Sequence, residues 1–207
     1  MAQATGGIRR ILGFPLIYKL LQSLLGSPGV HRRFVETFVE PGPGALILDI
    51  GCGPAEILEH LPEDVEYVGY DVNPKYIEYA RERYEGRGEF LCARVSEASA
   101  HPRAGEFDVV LALAVLHHLD DAEASDLFES AHHHLKPGGR LVTIDSAYVP
   151  DQPRIAKFLI DRDRGQHTRT PEGYVALAEK RFATVETSVR HDMLTIPYTL
   201  IMMRCIK

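Results

Sequence analysis

Cysteine is scarce and scattered: Cys52, Cys92 and Cys205 are the three in a chain of 207 residues. An odd set at such wide spacing makes no disulfide framework, so reduced thiols and a cytoplasmic location are expected. Long apolar runs are missing as well. No stretch reaches the roughly 20 apolar residues that a spanning helix requires, and no membrane partner is expected. Arg9-Arg10 precedes an apolar segment, yet Lys19 and Gln22 interrupt it and no small-residue cleavage site follows, which argues against an export signal. Positive charge is not in excess: the formal net charge is −6. No overall basic field recruits nucleic acid, so a nucleic-acid partner is not expected.

What is present is the composition of a soluble globular protein, 45% hydrophobic and 25% charged, of a length that one α/β domain fills. The informative stretch is Ala45-Leu46-Ile47-Leu48-Asp49-Ile50-Gly51-Cys52-Gly53-Pro54-Ala55-Glu56. Ala45 to Ile50 is a short apolar run with branched residues, as in a strand buried on both faces. Gly51-Cys52-Gly53 supplies a tight turn, and Pro54 suits the first position of a helix running to about Leu61. A strand, a glycine turn and a helix start aim backbone N–H groups at a small ligand. A dinucleotide fingerprint would carry its third glycine where Glu56 stands, and a carboxylate there repels a pyrophosphate. The nicotinamide reading is weakened by that residue.

The rest of the chain punctuates itself. Leu16, Ile17, Leu20, Leu21, Leu24 and Leu25 recur at helical spacing, predicting an amphipathic helix over Pro15 to Leu25. A second helix is predicted over Val30 to Val39. Glu66 to Asp71 reads as a strand ending in an acid, 22 residues after Asp49 (71 − 49). An acid at that place reaches a ribose in nucleoside-binding α/β folds. Asn73-Pro74 caps a helix through Tyr84. Gly88 to Cys92 and Glu106 to Ala114 are further strands. Asp120, Asp121 and Glu123 open a helix through Leu135, and Lys136-Pro137-Gly138-Gly139 reads as a stop and turn before a strand from Arg140 to Ser146. Strands alternating with helices call for a parallel sheet with right-handed crossovers. Beyond it come a helix over Arg154 to Ile160, a charged loop over Asp161 to Thr170 and a helix from Pro171 to Lys180. Phe182 to Arg190 and Pro197 to Cys205 read as the last two strands. His132-His133-His134 cannot ligate one ion, because consecutive helical residues diverge by about 100°. They read as a solvated helix end, and no metal is expected.

Asp49-Ile50-Gly51-Cys52-Gly53-Pro54, Phe107-Asp108-Val109-Val110, Leu116-His117-His118-Leu119 and Leu135-Lys136-Pro137-Gly138-Gly139-Arg140-Leu141 occur in one order over roughly residues 40–146. Together they resemble the motifs of class I S-adenosylmethionine-dependent methyltransferases of the small-molecule type, in which Ala55 replaces a usual glycine. The resemblance implies a Rossmann-like three-layer sandwich. Its seven-stranded, mostly parallel sheet has the order 3-2-1-4-5-7-6, with the last strand antiparallel. It implies one domain over 1–207: a helical cap (1–40), a cofactor-binding core (41–146) and a substrate-side insert with the last strands (147–207).

The resemblance also implies roles. Asp49, Gly51, Cys52 and Gly53 would meet the amino-acid end of S-adenosylmethionine, and Asp71, Val72 and Asn73 its ribose and adenine. Arg94 and Val95 would line the adenine site; Arg94 stands where the family offers an acid, and it cannot accept from an exocyclic amine. Ala112, Leu113 and His117 would complete the pocket, with S-adenosylhomocysteine as product. His117 and His118 are the candidate proton acceptors. Tyr18 and Gln22 on the first helix, and Arg164, Arg169 and Tyr174 in the insert, are candidate acceptor-binding residues. They point to an anionic or polyhydroxylated small molecule methylated on a hydroxyl or carboxylate oxygen, by a monomer or homodimer. The alternatives are a non-catalytic S-adenosylmethionine-binding protein, an NAD-dependent oxidoreductase and an RNA methyltransferase. Against the last, Ala112-Leu113-Ala114-Val115 stands where an N/D-P-P-Y/F tetrapeptide would be expected.

Overall fold

In the computed structural model, residues 28–94, 101–163, 165–194 and 196–207 are described. The predicted first helix, with Tyr18 and Gln22, lies outside them, as do Val95 and Arg164. Seven strands form one sheet: β1 (Leu46–Ile50), β2 (Glu66–Asp71), β3 (Glu89–Cys92), β4 (Phe107–Leu113), β5 (Leu135–Ser146), β6 (Thr184–Arg190) and β7 (Leu200–Ile206). Their order is β3-β2-β1-β4-β5-β7-β6, and β7 runs antiparallel to both neighbours. This is the order expected from the motifs.

All five residues of β1 are buried, so the strand needs apolar cover on both faces. Its side chains alternate between two clusters. Ile47 packs with Val109 and Leu111 of β4, with Ile77 and Ala80 of α2 (Pro74–Arg83), and with Phe34 and Val39 from α1 (Pro28–Phe34) and the π-helical turn after it. Leu46, Leu48 and Ile50 face the other way. They join Leu127 and Phe128 of α3 (Asp121–His134) and Tyr174 and Leu177 of α5 (Pro171–Ala178). α4 (Arg154–Ile160) lies between β5 and α5 in the chain and leaves Ile155 and Phe158 exposed.

The helix starts read from the sequence hold where a side-chain cap exists. The Asn73 side chain accepts from the Lys75 N–H, and Asp120 with Glu123 forms a reciprocal capping box. Two expectations fail locally. After the glycine turn there is no α-helix from Pro54, only a 3₁₀ helix over Glu56–His60, because Ala55 takes a left-handed φ of 58° and redirects the chain. Lys136 to Gly139 is not a turn ahead of β5 but its first part. Gly138 N–H donates to the Lys207 carbonyl and Lys207 N–H to that of Gly139, so backbone pairing carries the strand through the glycines.

Gly69 in β2 has a packing reason. A Cβ there would lie 2.9 Å from Cys52 Sγ and 3.1 Å from the Tyr67 ring, so the bare backbone lets that ring cross toward β1. Gly69→Ala should lower stability by about 1–3 kcal/mol through overpacking. Cys52→Ala in the same chain should recover part of the loss, read as a double-mutant cycle of thermal midpoints.

Candidate functional site

Three of the parallel strands end in acids on one edge of the sheet. Asp49 in β1 is 1% exposed, and its Oδ2 accepts from the Tyr67 hydroxyl at 2.6 Å. Its Oδ1 is buried with no hydrogen-bond partner. Burial pushes the Asp49 carboxyl up to about 7; the Tyr67 hydrogen bond opposes this and the charge of Asp71 adds to it. A buried acid with one orphan oxygen is a receptor for a cationic donor. Gly51 and Gly53 both have positive φ, 77° and 54°. A Cβ on Gly51 would strike Val115 at 2.7 Å, whereas one on Gly53 would meet nothing within 4 Å, so open space borders the turn. The Cys52 thiol beside them is pushed up by burial and by the charges of Asp49 and Asp71, so it packs as a neutral group.

Asp71 ends β2 and ties the turn in place. Its Oδ2 accepts from the Gly53 N–H at 2.9 Å and its Oδ1 from the Asn73 N–H at 2.7 Å. Each oxygen keeps a further lone pair for a ligand hydroxyl. Val72 is 44% exposed, unusual for a valine beside a site, and Arg94 stands exposed just past β3. Ala112 is fully buried in β4, and Leu113 beside it is half-buried.

The third acid, Asp145 in β5, was missed by sequence reasoning. It is 2% exposed and accepts with Oδ1 from the His117 backbone N–H at 3.1 Å. The same oxygen lies 2.8 Å from His117 Nδ1. His117 Nε2 faces Asp163 Oδ2 at 4.0 Å, and that oxygen accepts from the Tyr198 hydroxyl at 2.7 Å. Burial pushes the imidazole down, but the Asp145 hydrogen bond and the charges of Asp145 and Asp163 outweigh it and hold His117 above its ordinary value. The same burial works against the Asp145 carboxylate, whose ionised form depends on His117. His118 follows in the same short turn, half-buried, its ring 4.1 Å from that of His117. A signal for Asp145 existed: an acid inside the apolar run of a strand needs a partner. Tyr67, Asp163 and Tyr198 carried no such mark.

Arg169 and Tyr174, expected from the sequence to meet the acceptor, are committed elsewhere. Arg169 spends its donors inside the protein, on Asp121 Oδ1 twice and on the carbonyls of Leu116, His167 and Leu119. Its five N–H groups are thereby used, and it clamps the insert to the histidine turn instead of reaching for an anion. Tyr174 is fully buried, its hydroxyl donating to the Ser146 carbonyl. The solvated triple histidine is also corrected: His134 is fully buried, its Nδ1 2.7 Å from the Ser130 carbonyl. Among the described residues no group of three metal-ligating side chains assembles, and no helix is long and apolar enough to cross a membrane.

Sheet order and the acid–glycine turn define the Rossmann-like class of α/β domain. Residues 47–139 match the family model described as a methyltransferase domain. Phosphoethanolamine N-methyltransferase 1 of Arabidopsis thaliana is 29% identical over 158 residues, 74% of this chain and 32% of that protein. A ubiquinone biosynthesis O-methyltransferase of Sinorhizobium medicae is 34% identical over 104 residues, 49% of this chain and 41% of that one. The chain therefore spans about a third of one of these curated relatives and about two fifths of the other. A solved S-adenosylmethionine-dependent methyltransferase from Archaeoglobus fulgidus shares the fold, with a TM-score of 0.72 at 18% identity over 92% of this chain and 99% of that one. Over residues 47–139 the chain is thus similar to methyltransferase domains, and its fold is that of solved S-adenosylmethionine-dependent methyltransferases.

Asp49 makes a pH-dependent contribution whose sign follows from its raised value. The unfolded chain ionises Asp49 near pH 4 whereas the folded chain keeps it protonated to about 7, so stability falls as pH rises through that window. Asp49→Asn should remove this slope and be more stable than the parent above pH 7, by a few kcal/mol at most. Thermal midpoints from pH 4 to 8 read it; parallel curves for the two proteins would count against the assignment.

Proposed function

We propose that this chain transfers a methyl group from S-adenosylmethionine to a proton-bearing oxygen or nitrogen of a small molecule. The observation that carries the reading is the orphan Oδ1 of buried Asp49 beside two positive-φ glycines, on the edge where Asp71 also opens. That donor set fits the cofactor: Asp49 would take its amino group, Gly51 and Gly53 admit its backbone closely, and Asp71 would accept from the ribose hydroxyls. Val72 offers an apolar face to the adenine. S-adenosylmethionine, when bound, supplies a methyl group on a sulfonium already activated for in-line displacement. The protein's share is to align the acceptor, exclude water and take up the acceptor's proton.

His117 is the proton acceptor in this reading, since Nε2 is its ring nitrogen not committed to Asp145. A carboxylate acceptor, one of the two oxygens expected from the sequence, is disfavoured. It has no proton to give, and it would face Asp145 and Asp163 with Arg169 already spent. The relatives carry both acceptor atoms in their names, an N-methyltransferase and an O-methyltransferase, which supports a hydroxyl or amine without choosing between them.

Isothermal calorimetry tests the cofactor assignment. S-adenosylmethionine should bind and NAD should not, and Asp71→Ala should weaken binding at least tenfold. Because an ammonium beside Asp49 favours its ionised form, binding should release a proton below pH 7 and tighten as pH rises from 5 to 7. Unchanged affinity in Asp71→Ala removes the ribose role, and pH-independent binding removes Asp49 from the amino group.

A further inference from the structure

His117 is held from three sides. Asp145 on β5 engages both its backbone N–H and its Nδ1 through one oxygen. Asp163, from the loop after α4, faces its Nε2 and is itself held by the Tyr198 hydroxyl. The insert closes the third side: a Cβ on Gly165 would come within 2.2 Å of His117 Cδ2, and the His167 N–H donates to the His117 carbonyl at 3.0 Å. The side chain is consequently 6% exposed. A carboxylate oxygen accepts and cannot donate when ionised, so the nitrogen it touches must carry the hydrogen.

We propose that Asp145 is a positioning residue for the methyl-transfer reaction, fixing His117 in the Nδ1–H tautomer so that Nε2 alone presents a lone pair. The inference rests on the methyltransferase reading above, and it supplies what that reading left open: why one ring nitrogen serves and the other does not. In the proton step, an acceptor O–H or N–H bond gives its proton to Nε2 and leaves the bonding pair on the acceptor atom. The imidazolium so formed lies between Asp145 and Asp163, whose negative charges favour it. Asp163 stands 4.0 Å from Nε2, too far for a hydrogen bond, so it does not take up that lone pair. His118 is the other titratable group against the ring, at 4.1 Å, and the Arg169 guanidinium reaches the same turn through the Leu116 carbonyl. The base is the neutral form, so turnover should rise with pH through a His117 midpoint that Asp145 keeps high.

The test is a ¹⁵N-edited histidine titration of the free protein, with His117→Gln to assign the ring. The parent should show a neutral ring protonated on Nδ1 and a midpoint above 6.5; a ring protonated on Nε2 overturns the proposal without any variant. Asp145→Asn should lower the midpoint by at least one pH unit, and an unchanged midpoint and tautomer in that variant also overturns it. Asp163→Asn should move the midpoint less and keep the tautomer. These readouts need no acceptor. Loss of S-adenosylmethionine binding in calorimetry would refute the methyltransferase reading while leaving the titration result standing, so the two failures are distinct.

Discussion

Burying a carboxylate is among the costlier things a fold can do, and this sheet does it at Asp49 and Asp145, with Asp71 half-buried on the same edge. Asp49, Asp71 and Asp145 close β1, β2 and β5 on the same edge. Each is compensated by a different donor: a tyrosine hydroxyl for Asp49, two backbone N–H groups for Asp71, an imidazole and a backbone N–H for Asp145. Those donors dictate much else. Tyr67 reaches Asp49 only because Gly69 has no side chain, and the glycine turn is held over the sheet because Asp71 grips Gly53. The compensation is incomplete at Asp49 and at Asp145, each of which keeps one oxygen without a partner. An acid left partly unpaid in a fold with marginal stability is retained where something else completes it.

The half of the site proposed to meet the cofactor is built from neighbours in sequence, and that is why it could be read there. Strand, acid, glycine turn and the next strand's acid occupy 23 consecutive residues, 49 to 71, and parallel pairing of β1 with β2 brings the two ends together. The sheet order followed from the same motifs. What failed in that region was conformational: Ala55 adopts a left-handed φ although its side chain gives no sign of it, and the expected α-helix becomes five residues of 3₁₀ helix. The π-helical turn at Val35–Val39 was equally silent, because a run of apolar and polar residues at helical spacing does not distinguish one helical pitch from another.

The other half was not legible for a different reason. Asp145, Asp163 and Tyr198 lie 28, 46 and 81 positions from His117 in the chain, and only the β5 pairing, the insert and the β7 edge bring them to one ring. Charge composition misled as well. The insert has many cations, which suggests a ligand for Arg169, yet a guanidinium within reach of backbone carbonyls and Asp121 satisfies itself internally first. Residue type records what a side chain can bind; the fold decides what it has already bound.

Arg169 and Asp145 both act on the histidine turn, and their combined effect explains how a short loop can hold His117 in one place. Leu116–His118 is a single turn of 3₁₀ helix with no side-chain cap, too short to hold its own shape. Arg169 occupies the Leu116 and Leu119 carbonyls, Asp145 the His117 N–H, and the His167 N–H the His117 carbonyl. The turn's backbone is thus fixed by the insert and by β5 in addition to its own hydrogen bonds, from His118 N–H to the Val115 carbonyl and from Leu119 N–H to that of Leu116. Position and protonation of His117 come from the same contacts, since the oxygen that anchors the backbone also selects the tautomer. A change that loosened the insert would therefore disturb the orientation of His117, and it would reach the end of β5 through the bridge between Arg169 and Ala147.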